Sequence, residues 1–164
     1  NEGTGPAVPE IGVKQDRHSL SHHNGNPKLL ADLLASDTFN LQQFGYFLTK
    51  LREVKDADGP LIETTMALYG SGMAYGHSHG NANLPTILCG GKALGYKHGT
   101  HVDFNLPKIG KYDVTDATGH YKLCSKPVDD NARVSNLLLT MAQGMGLDVN
   151  RFADSNGSLA ELRA

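Results

Sequence analysis

Two short apolar runs in a glycine-rich chain constrain the fold most. Residues 64–69 read Thr-Thr-Met-Ala-Leu-Tyr and residues 84–89 read Leu-Pro-Thr-Ile-Leu-Cys. Each has strand length and lacks the alternation of a strand with one face in water, which suits an inner strand of a sheet covered by helices. Both end in glycine, at Gly70-Ser71-Gly72 and Gly90-Gly91. The first loop therefore leaves the carboxyl end of a strand, where ligands bind in open α/β sheets.

Helical spacing brackets these runs. Asn26 can cap a helix with Pro27 at its first position. Leu29, Leu30, Leu33 and Leu34, then Leu41, Phe44, Leu48 and Leu51, carry the pattern to about Val54 as one helix or two, since Ser36, Asp37 and Thr38 can interrupt it. A second helix is expected over Val134, Leu137, Leu138 and Met141, capped by Asp129, Asp130 or Asn131 and ended by Gly144 and Gly146. Residues 1–15 read as an extended arm, 16–164 as a single α/β domain with a loop-rich insertion near 108–126, and the tail as anchored by Val149 and Phe152 before it frays. Two strands and two helices leave open sheet edges, so a further segment or subunit is expected to cover them.

Composition narrows the function classes. The 164 residues carry a net charge of -2 without long runs of one sign, which indicates neither a nucleic-acid stripe nor a basic membrane patch. No apolar stretch has the length of a membrane span. The first residue is Asn with no hydrophobic signal region before it, which reads as a processed product or a fragment. Cys89 and Cys124 permit one disulfide or two buried thiols.

Chemistry concentrates in histidine. His18, His22 and His23 fall within six positions ahead of the first helix, and His77 and His79 lie in the loop between the apolar runs. Imidazole is the commonest ligand for zinc and related ions. His18 and His22, four apart, share one face of a helical turn, while His77 and His79, two apart, share one side of an extended segment. The five are candidate ligands for a divalent metal ion, zinc first; the alternative is that they cap turns and bond glycine-rich backbone. Asp16, Asp103 and Asp116 are acidic partners, and Asp16, the nearest, could ligate, orient a histidine or cap the loop. Ser71 fails as a hydrolase nucleophile because Gly-x-Ser-x-Gly leading into a helix is missing, and it reads as a turn residue or a polar wall. Copper electron transfer lacks a grouped cysteine and methionine.

The succession His-Ser-Leu-Ser-His-His-Asn-Gly-Asn, a long helix, Leu-Tyr-Gly-Ser-Gly-Met, His-Ser-His with Asn-Leu-Pro, Cys-Gly-Gly, and Met-Gly-Leu-Asp-Val-Asn-Arg-Phe-Ala-Asp-Ser resembles the carboxyl-terminal part of an exported bacterial family. That family is known as domain of unknown function fifteen fifty-two. The similarity covers most of residues 16–159, except roughly 108–126. More distantly, the order of elements is similar to the second half of alkaline phosphatase and sulfatase-like enzymes. That resemblance implies a three-layer α/β sandwich of alkaline-phosphatase-like type, represented only by its carboxyl-terminal part, and an exported or periplasmic location. It implies His23 and His79 at ligand places and a missing amino-terminal half, or another subunit, as partner. Two functions follow: a metal-binding protein related to phosphate and sulfate ester hydrolases, or a non-catalytic module in which the histidine loops bind no metal. The departures are Gly70-Ser71 where the enzymes carry Asp-His, and Ser19 or Ser21 where they carry an aspartate.

Overall fold

A computed structural model describes residues 5–111, 122–129 and 132–164, except for the His77 side chain. Residues 8–13 form a tight loop, bridged Val8 to Val13, that buries both valines. Helix α1 (Arg17–Ser21) follows, then the long helix α2 (Pro27–Glu53). Strands β1 (Lys55–Asp56) and β2 (Gly59–Pro60) make a small antiparallel turn ahead of helix α3 (Leu61–Thr64). Strands β3 (Met66–Gly70) and β4 (Thr86–Gly90) pair antiparallel, with Leu68 opposite Leu88. Helix α4 (Leu106–Ile109) is short, and helix α5 (Val134–Gly144) precedes the carboxyl-terminal loop. Among the described residues no helix is long and apolar enough to cross a membrane.

Helix α2 is one continuous helix. The Asn26 side chain accepts from the Lys28 and Leu29 amides, and Pro27 costs no bond at a position whose N–H has no partner in the helix. Ser36 does not interrupt it; it is the one fully buried residue of α2. The neighbouring Asp37 is held by Arg17. Strand β3 starts at Met66, because α3 takes residues 61–64. The expected covering of both strand faces is not met by the described residues, since Leu68 and Ile87 are 39% and 41% exposed.

The core centres on α5 and on Tyr96, which is 2% exposed. The Tyr96 hydroxyl donates to the Thr140 carbonyl at 2.7 Å, and the Arg163 guanidinium stacks 4.9 Å from its ring. The buried face of α5 differs from the apolar periodicity. Ser135, Asn136 and Thr140 are buried, whereas Val134 is 45% exposed. Asn136 and Thr140 turn inward because they bind the carboxyl-terminal loop. The Thr140 hydroxyl accepts from the Leu159 amide at 2.7 Å, and Asn136 exchanges two bonds with Asn156. A buried amide finds its partner this way. Arg133, not an acidic residue, stands at the amino-terminal cap of α5; the alternatives Asp130 and Asn131 lie outside the described residues. The expected anchor Phe152 is 47% exposed, and Leu159 takes that part. The tail stays docked to the end, with the Ala164 amide donating to Gly95.

Candidate metal centre

Asp16 starts the site. Its carboxylate accepts from the Ser19 amide at 2.9 Å and from the Ser19 hydroxyl at 2.7 Å, capping α1. These bonds, aided by the charge of His18, hold the Asp16 carboxyl below its ordinary value. Leu20 is fully buried, and Arg17 grips Asp37 of α2 through two bonds of 2.6 and 3.1 Å. With one anchor in the core and one on α2, α1 is a fixed platform for its histidines. His18 lies in its first turn and His22 caps its end, so both rings share one side with centroids 4.9 Å apart.

The third ring comes from far along the chain. After β3 the Ser71 hydroxyl accepts from the Met73 amide, the turn role expected of it. Residues 74–80 then close on themselves: the Ala74 amide donates to Gly80, and Tyr75 bridges Gly80. Gly76–Ser78 is a 3-10 turn, not an extended segment, and His79 ends it at φ 55° in the left-handed region. Two glycines allow the approach. A side chain at Gly76 would meet Ser21 Cβ at 2.5 Å, and one at Gly80 would collide with the Cys124 backbone.

The result is a triangle of His18, His22 and His79, whose ligand nitrogens all lie within 4.8 Å of one another. His22 Nε2 and His79 Nε2 are 3.1 Å apart, and the ring of His79 lies 5.5 Å from that of His18. Zinc bonds to imidazole are about 2.0–2.1 Å, which at tetrahedral angles separates two ligand nitrogens by about 3.3–3.4 Å. The His22–His79 pair at 3.1 Å is within about 0.3 Å of that spacing, and His18 needs a shift of about an ångström. Three neutral imidazoles leave one position of a tetrahedral ion open, and His79 is exposed toward solvent.

The remaining candidates separate from this group. His23 Nδ1 accepts from the Gly25 amide at 3.0 Å, so His23 stabilises the turn into α2 and is not among the three clustered rings. The His77 side chain and Asp116 lie outside the described residues. Asp103 accepts from the Asn105 and Leu106 amides and serves the start of α4. Cys89 and Cys124 are not joined, and burial pushes both thiols up.

Arg17 and Gly76 are the contributors that residue type alone does not reveal. The only sequence signals are the place of Arg17 beside His18 and the glycines flanking His77-Ser78-His79. An open cleft of about 860 Å³ runs between α2 and the ends of β3 and β4. Arg17, Asp37, Phe44, Phe47, Tyr69 and Ser71 contribute to its wall. Of the two segments that carry the imidazoles, α1 borders this cleft through Arg17, while no described residue of the 74–80 turn lines it. No family model matches the chain, nor does any curated protein or solved structure.

Proposed function

We propose that this chain binds one divalent transition-metal ion, zinc first, on His18, His22 and His79, with a fourth position open to a ligand. The observation that carries the reading is the 3.1 Å approach of His22 to His79 across 57 residues of chain. Like-typed imidazoles gathered from separate elements suit an ion of borderline softness. An ion with an open position polarises an oxygen of a bound ester, which is the chemistry that kinship to phosphate and sulfate ester hydrolases supplies. Under that kinship the β3–β4 pair belongs to a wider three-layer α/β sheet, completed by an amino-terminal half or another subunit, in an exported protein.

A second reading has one observation in its favour. The His22–His79 contact is itself a hydrogen bond if one neutral ring donates to the other, and it can fasten the loop to α1 without an ion. Isothermal titration of the metal-free protein with zinc separates the two. One equivalent bound, and lost in His79→Ala, supports the metal centre. No zinc binding by a folded protein refutes it and leaves the hydrogen-bonded latch. Hydrolysis of p-nitrophenyl phosphate or sulfate by the zinc-loaded protein then distinguishes an ester hydrolase from a metal-binding module.

A further inference from the structure

The chain holds two Asn-Gly pairs, Asn24-Gly25 and Asn156-Gly157. Asparagine is thermolabile, and most so ahead of glycine, where the following backbone nitrogen has no side chain to shield it from the carboxamide. The two pairs are held differently. Asn136 pins Asn156 on both sides, donating to its side-chain oxygen at 2.8 Å and accepting from its backbone amide at 3.0 Å. Asn24 is exposed, and its carboxamide has no hydrogen-bond partner among the described residues.

The turn around Asn24 singles out one nitrogen. Asn24 at φ 48° and Gly25 at φ 77° carry the two positive φ values of a type I′ turn, which the Asn26 amide closes by donating to the His23 carbonyl at 2.8 Å. That bond does not use the Gly25 amide, which donates instead to His23 Nδ1 at 3.0 Å. A carbonyl would only hold this proton. A neutral imidazole at hydrogen-bond distance is a base that can remove it and so activate the nitrogen. Nothing stands within 4 Å of a Cβ built on Gly25, so a new ring has room there.

We propose that Asn24 is a self-modifying site, at which His23 promotes loss of the side-chain amide to the Gly25 nitrogen. The Gly25 nitrogen bonds to Asn24 Cγ as its proton passes to His23 Nδ1. The Cγ–Nδ2 bond then breaks, and ammonia leaves with that proton, which closes a succinimide ring. Water opens the ring at either carbonyl. Opening at Cγ yields aspartate, whereas opening at the backbone carbon yields isoaspartate, with Gly25 joined through Cγ. Either product sets a carboxylate just ahead of the Asn26 cap of α2, at the helix end that favours negative charge. Isoaspartate also lengthens the turn by one carbon and breaks the Asn26–His23 bond. The reaction is thus a timed release of the turn that joins α1 to α2, and it requires no metal.

The test follows the full chain at neutral pH, digested at intervals and read by mass spectrometry, with isoaspartate marked by enzymatic methylation. Asn24 is expected to lose its amide at least about tenfold faster than Asn156. His23→Ala should slow Asn24 about tenfold, and added imidazole should restore the rate, which a purely structural role of His23 would not produce. In urea Asn24 should slow and the two asparagines converge, because the difference belongs to the folded turn. The Asn26 amide should lose hydrogen-exchange protection as isoaspartate accumulates. Equal rates at Asn24 and Asn156 in the folded protein overturn the proposal, as does a His23→Ala variant that converts as fast as the parent. So does an Asn26 amide as protected in the isoaspartate form as before. If His23→Ala does not fold, the comparison of folded and urea-treated parent decides.

Discussion

Gly76→Ala tests whether the closeness of the loop to α1 makes the three-histidine site. Gly76 lies outside the left-handed region, so alanine suits its backbone and the effect is one of space alone. The new Cβ would stand 2.5 Å from Ser21 Cβ and 2.9 Å from its hydroxyl oxygen. Carbon atoms in contact sit about 3.5–4.0 Å apart, so the loop must retreat by about 1 Å. The His22–His79 separation then grows from 3.1 Å to about 4 Å, past the 3.3–3.4 Å that a zinc ion imposes. Displacing the supports of a metal ligand costs about 10–100-fold in affinity, and overpacking costs about 1–3 kcal/mol in stability. Zinc affinity measured by competition with a chromophoric chelator should fall by that factor. Ser21→Gly should restore it, because it removes both colliding atoms and leaves Ser21 Cα at an ordinary 3.6 Å. A double-mutant cycle isolates this coupling from the hydroxyl that Ser21 otherwise donates to His18. If Gly76→Ala binds zinc as tightly as the parent, the loop approach does not make the site.

Further outcomes follow from the same contacts. Asp16 is held below its ordinary 3.8 by Ser19, so its contribution is complete above that pH and disappears as pH falls through the lowered value. Asp16→Ala should therefore melt earlier than the parent near neutrality, with the two scans converging in acid once the parent's carboxylate is protonated; a gap unchanged in acid contradicts the assignment. Zinc affinity should fall as the solution is made more acidic, because protons compete for the same imidazole lone pairs, and a flat profile argues against nitrogen ligands. Thr140→Val strands the buried Leu159 amide and should lower the stability to urea by about 1–3 kcal/mol; a loss below about 0.5 kcal/mol removes Thr140 from the core network.

What the sequence makes legible is what depends on neighbours. The Asn26-Pro27 start of α2 and the shared face of His18 and His22 follow from positions one to four residues apart, where helix geometry leaves few choices. The strands also appear within two residues of their apolar runs. Three features depended on partners far along the chain. Asn136 and Thr140 face inward because Asn156 and Leu159 meet them there, which apolar periodicity counts against. Tyr96 sits in a stretch of glycines and lysines with no core signature, yet Thr140 and Arg163 enclose it. His23 resembles its neighbours in type, but the Gly25 amide claims its Nδ1.

The same distinction explains how the three described rings come together. A short helix fixes two histidines by local geometry, but the third must arrive across a surface that admits it. The absence of side chains supplies that surface: Gly76 lets the turn lie against Ser21, and Gly80 lets the far side of the turn lie against Cys124. Because Arg17 and Asp37 hold α1 from below, an ion on the triangle would join the loop to a platform already fixed to α2. Binding energy would thus stabilise the folded loop, as metal binding does wherever ligands are distant in sequence. Removing His79 should then loosen residues 74–80 in hydrogen exchange only when zinc is present. Removing Arg17 should loosen α1 with or without the ion.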